Sequence, residues 1–153
     1  MLDALAYERS WQVGDSVYQF EKLLDYLQNT KRKGKLLIDD PVIKKEIAQL
    51  AVELEVARLF GLRVACMLEK GQMPSLEASV AKIFGSEVWH HITDKWIKIL
   101  SLYGQLEGDS ELVPLEGRVM EWYFGGVRSL ISRGTNDILR NVVAIRGLNM
   151  PRP

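Results

Sequence analysis

Cysteine is nearly missing from this 153-residue chain. Cys66 stands alone, which excludes an internal disulfide and any site built from several thiolates. An excess of charge of one sign is missing too. Twenty Lys and Arg balance twenty Asp and Glu, so the basic surplus of a nucleic-acid-binding protein is not there. Apolar runs extend only a few residues, far short of the roughly 20 that cross a bilayer. No basic-then-apolar leader opens the sequence, so export is not expected. Nor is there a two-residue-period strand pattern of useful length, a repeat or a low-complexity tract. What remains is 47% hydrophobic and 26% charged, the composition of one soluble, intracellular domain with a sizeable core.

Helical spacing fills that composition. Ile43, Ile47, Leu50, Leu54, Ala57, Gly61, Val64 and Leu68 recur every three or four residues, one apolar stripe on a helix from Pro41 to Lys70. Asp40 suits its N-cap, Pro41 its first position and Gly71 its stop. A second long helix is predicted from Ser75 as N-cap to a stop at Gly104, through Leu76, Val80, Ile83, Phe84, Val88, Ile92, Trp96 and Ile99. Only Gly71 to Pro74 separate the two, so they run antiparallel. Leu2 to Asn29 also reads as helix, with Gly14 weakening it by about 1 kcal/mol. Lys31 to Lys35 form a basic link, and Gly108 to Pro114 a polar loop. A shorter helix is predicted over Leu115–Ser132 and a last one over Thr135–Arg146. The fold class is all-α: an up-down four-helix bundle with an additional short C-terminal helix.

Trp89, Trp96, Trp122 and Tyr123 add more bulk than one such core requires. A face covered by another domain or subunit is expected to account for them.

The stretch Arg133-Gly134-Thr135-Asn136-Asp137-Ile138-Leu139-Arg140-Asn141 resembles the Gly-Thr-x-Glu/Gln-Ile-Gln-Arg-Asn signature of the acyl-CoA dehydrogenase family. Val142 to Leu148 and Pro151-Arg152 resemble that family's ending. Ser75 to Gly85 is similar to its helix with a small-residue face followed by Ala-Lys-x-Phe. The likeness covers nearly all of residues 1–153 in one register, as the C-terminal helical domain. The family's N-terminal helical and middle β-domains have no counterpart here, so Met1 is expected to mark a fragment boundary or one piece of a split protein.

The resemblance implies oxidation of an acyl-CoA thioester to its 2,3-enoyl form with FAD as cofactor. A carboxylate of raised pKa takes the α-proton. Many members carry that base directly before Gly-Thr. Here the position is Arg133, a permanent cation that cannot serve. A minority of the family places the base at the start of this domain's first helix, in a Glu-Arg pair. Leu5-Ala6-Tyr7-Glu8-Arg9-Ser10 stands at that place, and Glu8 is therefore the expected catalytic base. Read without the resemblance, Glu8 is a first-turn acid complementing the helix dipole, or a partner for a nearby Arg.

The same resemblance implies a cofactor role for five residues. Thr135 caps the last helix and lies against the flavin nucleotide, and Gly134 lets the backbone approach it closely. Asp137 stands where the family has the longer Glu or Gln, and Leu139 where it has Gln. Arg32, in Lys31-Arg32-Lys33-Gly34-Lys35, is the nearest counterpart of an Arg that reaches a neighbouring subunit's cofactor, although a solvated charge run explains it as well. Gly104 is the last glycine of the family's glycine-rich turn, which here carries Leu102.

Arg140 and Arg146 suit the closing half of a helix or an ion pair. His90 and His91 point in different directions on a helix, and Glu87 with His91 supplies two ligands at most, so no metal is expected. Cys66 is expected to be a buried, inert thiol.

Two functions follow. In the first, the chain is the C-terminal part of an acyl-CoA dehydrogenase with Glu8 as base, self-associating as dimer or tetramer and passing electrons to a partner such as an electron-transfer flavoprotein. It would lie in a bacterial cytoplasm or, in a eukaryote, the mitochondrial matrix. As an isolated piece it would be inactive and retain no FAD. In the second, Arg133, Leu102 and the altered Arg32 segment mark a non-catalytic partner subunit of such an assembly.

Overall fold

The computed structural model describes residues 13–106 and 112–152. It is a helical bundle arranged around one central helix. The first described helix, α1 (Val13–Asn29), buries Ser16, Gln19, Leu23 and Leu27 at three- and four-residue spacing. The basic link that follows is a minimal hairpin of β1 (Lys31–Arg32) and β2 (Lys35–Leu36), paired Lys31 with Leu36 and Arg32 with Lys35. Its two loop residues, Lys33 and Gly34, both have positive φ, 52° and 81°. That is the backbone a two-residue hairpin turn requires. Two-residue strands are too short to leave a period in the sequence, so the hairpin was not foreseen.

A single 3₁₀ turn then leads into α2 (Pro41–Glu69). Asp40 Oδ1 accepts from the Val42 and Ile43 amides at 2.8 and 3.4 Å. Ile47, Leu50, Leu54, Ala57 and Val64 are buried along the expected stripe. The end is a Schellman motif: Gly71, at φ 68°, donates to the Leu68 carbonyl and Gln72 donates to that of Met67.

Helix α3 (Ser75–Leu100) starts at Ser75, one residue earlier than a Ser75 N-cap would give. Pro74 occupies the cap, and the Ser75 carbonyl accepts from the Ser79 hydroxyl at 2.7 Å. Helices α1 and α2 pack on α3 from one side, α4 (Arg118–Ile131) and α5 (Asn136–Val142) from others. Surrounded in this way, α3 buries two kinds of face. Its second half contributes Val88, Ile92, Trp96 and Ile99; its first half contributes Ala78, Ser79, Ala81, Lys82, Gly85 and Ser86. Ala78 and Ala81 pack against Phe60, Val64 and Leu68 of α2, and Ser86 meets Ser129 of α4 and Asn136 of α5.

Three expected helix bounds are corrected. Helix α3 ends at Leu100 rather than at Gly104, because Ser101 turns to φ 55° and a 3₁₀ turn over Ser101–Gln105 follows. Leu115 and Glu116 lie in left-handed backbone (φ 52° and 57°), so α4 begins only after Gly117. The last helix stops being α-helical at Val142 and widens into a π-turn over Val143–Gly147, where Gly147 seats against the Leu76 side chain.

Of the four bulky aromatics, Trp96 is taken up inside the bundle, while Trp89, Trp122 and Tyr123 are half-buried. Trp96 has no exposed surface and stacks between Tyr26 and Trp122, at 5.5 and 6.0 Å between ring centroids. Gln19 satisfies two indoles at once: its side-chain oxygen accepts from Trp89 at 2.9 Å and its carbonyl from Trp96 at 3.2 Å. Trp96 thus belongs to the core, with Tyr26 and Trp122 packed against it. The exposed apolar side chains are others: Val52, Leu59 and Leu62 on α2, and Phe124, Val127 and Ile131 on α4. Cys66 is exposed as well, not buried, because it lies on the side of α2 away from the Leu50–Val64 stripe.

Candidate functional site

Four residues, Ser132 to Thr135, turn the chain from α4 into α5. Arg133 and Gly134 supply the reversal with φ of 56° and 91°. For Arg133 that backbone costs about 1–2 kcal/mol, which glycine next to it avoids. Thr135 is the cap foreseen: its Oγ1 accepts from the Ile138 amide at 3.2 Å. The hydroxyl proton remains a donor. Gly134 is exposed and Thr135 half-buried, so backbone and hydroxyl are both reachable from outside.

Asp137 faces solvent and pairs with Arg140 at 3.2 Å. Arg140 also grips Glu87 on α3, so the ion-pair reading of Arg140 holds. Leu139 is buried against the bundle; where the family signature has Gln, this chain uses the position for packing. Asn136 is 7% exposed, and its side-chain oxygen accepts from Lys82 at 2.7 Å and Ser86 at 3.1 Å. These three residues are a part of the site that the sequence reading missed. The available signal was a lysine set among the small residues of α3, at a register that faces inward.

Arg32 and Gly104 lie at the other end of α3. The Arg32 guanidinium donates to the Ile99 carbonyl at 2.6 Å. Gly104 is buried, and a Cβ there would stand 3.1 Å from the Leu100 Cβ and 3.4 Å from the Ile97 Cα, so close packing alone requires glycine. Leu102 beside it is 75% exposed. Ser86 and Ile99 are thirteen residues apart on one helix, about 20 Å at 1.5 Å per residue. A single chain therefore does not converge Arg32 and Gly104 with Gly134, Thr135 and Asp137 on one pocket. Glu8 lies outside the described residues.

For a flavin dinucleotide the donor set fits one edge: a glycine without a Cβ to obstruct approach, a threonine hydroxyl and an arginine at the bend. It does not enclose a whole cofactor. Among the described residues no group of His, Cys, Asp and Glu is placed to hold a metal, and no helix is long and apolar enough to cross a membrane.

Away from the bend, a groove of about 700 Å³ runs between α2 and α3, walled by Val42 and Leu50 and rimmed by charges. Lys95 pairs with Glu46 at 2.6 Å, and the His91 ring with Glu53 at 3.1 Å. Burial alone would raise the Glu53 carboxyl; the Gln49 amide and the His91 ring outweigh it and hold the group below the ordinary carboxylate value.

The family model described as "Acyl-CoA dehydrogenase, C-terminal domain" matches residues 2–148. Very long-chain specific acyl-CoA dehydrogenase of Bos taurus mitochondria is 30% identical over 128 residues, 82% of this chain and 18% of that protein. The chain thus spans about a fifth of such a relative's length. The fold is shared with a solved steroid ACAD, Tcur3481-Tcur3483, at TM-score 0.85 and 23% identity over 97% of this chain and 38% of that one. The ChsE4-ChsE5 complex from Mycobacterium tuberculosis superposes at TM-score 0.81 with 25% identity, covering 92% and 37%.

Proposed function

This chain belongs to the acyl-CoA dehydrogenase family as its C-terminal domain, and from that premise we propose that it supplies the catalytic base, one edge of the FAD site and part of the oligomer core of an enzyme oxidising acyl-CoA to 2,3-enoyl-CoA. The observation that carries this reading is the Arg133–Gly134–Thr135 bend. It has the exposed glycine and capping threonine of the family signature, with a cation where many members have the base.

A flavin held at the Gly134–Thr135 bend would supply the hydride acceptor for the substrate's β-hydrogen. The chain's own residues do the rest. Glu8 takes the α-proton, because Arg133 has no basic atom to offer. Thr135 donates its hydroxyl proton outward while its oxygen keeps α5 capped. Gly134 leaves room for close approach, and Asp137, tied to Arg140, is held at the rim of the bend. Arg32 and Gly104, at the far end of α3, would serve a different copy's cofactor. The apolar residues exposed on α2 and α4 support self-association to a dimer or tetramer. An electron-transfer flavoprotein is the proposed electron acceptor, and a bacterial cytoplasm or a mitochondrial matrix the compartment.

Adding acyl-CoA anaerobically to the full-length flavin-loaded protein tests the proposal. Bleaching of the flavin's visible absorption is expected; an unchanged spectrum with short, long and branched acyl-CoA substrates would contradict it.

A second reading, a non-catalytic partner domain, is favoured by one observation: the Arg32 guanidinium is already engaged by the Ile99 carbonyl. Full-length protein that stays flavin-free when saturated with its partner would select that reading.

A further inference from the structure

Lys82 has no exposed surface. Burying an ammonium group costs several kcal/mol before its contacts compensate, and a methionine of similar length would fill the same space without that cost. The contacts made in return are specific. The Lys82 Nζ donates to the Leu130 carbonyl at 3.2 Å and to Asn136 Oδ1 at 2.7 Å. Leu130 is the penultimate residue of α4, and its carbonyl is among the last four that a helix leaves without an intrahelical donor. Asn136 is the first residue of α5. One side chain therefore holds both ends of the segment 131–135, which contains the bend.

The surroundings reinforce that hold. Ser86, one turn along α3, donates to the same Asn136 oxygen. The Ser129 hydroxyl, which donates to the Gly126 carbonyl at 2.6 Å, also stands 3.3 Å from the Ser86 carbonyl, so α4 lies against the same patch of α3. Arg140, one turn along α5 from Asn136, grips Glu87. The last helix is thus registered on α3 at two successive turns, and the buried cation stands at the turn next to the bend.

We propose that Lys82 is the positioning residue of the Gly134–Thr135 bend, clamping the end of α4 and the start of α5 so that the bend keeps one conformation. Its consequence for flavin binding rests on the functional reading above; the clamp itself does not.

Hydrogen exchange read residue by residue tests the clamp on this chain with Lys82→Met, Asn136→Ala and Asn136→Asp. In the first two, the amides of residues 134–138 are expected to exchange at least about tenfold faster while Leu50 and Leu54 in α2 keep their protection. Asn136→Asp keeps the acceptor for Lys82 but loses the 3.5 Å amide contact to Glu87, so its bend is expected to exchange more slowly than that of Asn136→Ala. Should Lys82→Met not fold, the two Asn136 variants decide. Unchanged exchange at the bend in Asn136→Ala, or equal acceleration throughout α2 and the bend, would overturn the proposal. FAD release from full-length protein separates the clamp from the flavin reading. Faster release of about tenfold or more in Asn136→Ala supports both. A loosened bend with unchanged release leaves the clamp standing and removes the flavin role of the bend.

Discussion

Arg32 reaches across 67 positions of sequence to donate a 2.6 Å hydrogen bond to the carbonyl of Ile99. The cation sits at the C-terminal end of α3, where unpaired carbonyls concentrate negative charge. The contact also ties the hairpin to the central helix. Arg32→Ala is expected to lower stability by about 1 kcal/mol, with Arg32→Lys recovering part of it. Urea unfolding of the three proteins checks this; an unchanged midpoint in Arg32→Ala would show that the bond contributes nothing.

The close approach of α4 to α3 gives a paired test. A Cβ at Gly126 would lie 2.4 Å from the Thr93 hydroxyl and 3.2 Å from the His90 Cα. The hydroxyl is held by the Trp89 and His90 carbonyls, and the His90 backbone cannot swing aside. Gly126→Ala should therefore cost about 1–3 kcal/mol by forcing the helices apart. At Gly85 a Cβ meets nothing within 4 Å, so Gly85→Ala should gain up to about 1 kcal/mol of helix propensity. The two midpoints should move in opposite directions.

Glu53 sets part of the acid sensitivity. Its carboxyl is depressed in the folded protein, so its stabilising contribution is complete above the unfolded value and is lost as pH falls through the lower folded one. Glu53→Gln should thus be less stable than wild type near pH 6, with the gap closing below about pH 4.3. Unfolding free energies from pH 3 to 6 check the sign; a gap that widens with acid would reverse the assignment.

The chain alone should not hold its cofactor. The bend offers a flavin nucleotide only one edge, and Arg32 and Gly104 stand about 20 Å along α3 from it. After incubation with excess FAD and gel filtration, the 153-residue chain is expected to elute without flavin absorbance. Stoichiometric FAD would contradict this partition of the site.

What could be read from sequence divides along physical lines. The stripe of α2, its Asp40 cap and its Gly71 stop were legible because each depends on residues within one or two turns. The Thr135 cap was legible for the same reason. Features set by distant contacts were not. Trp89 and Trp96 read as surplus bulk until α1 brings Gln19 to their indoles, and Trp122 until Tyr18 of α1 meets it edge to face at 6.1 Å. Cys66 read as buried because its neighbours are apolar, yet α2 turns it outward. Lys82 has its meaning only through Leu130 and Asn136, 48 and 54 positions away. The Gly-Thr signature marked Gly134 and Thr135 in advance, whereas the Ala-Lys-x-Phe likeness included Lys82 without giving it a role.

With Arg133 where many relatives with the family signature carry the base, Glu8 is the proposed proton acceptor. The decisive measurement is steady-state turnover of acyl-CoA by the full-length protein carrying Glu8→Gln, with flavin content read from the same samples. Turnover should fall by at least about a hundredfold while flavin remains bound; wild-type turnover at full flavin occupancy would contradict the account.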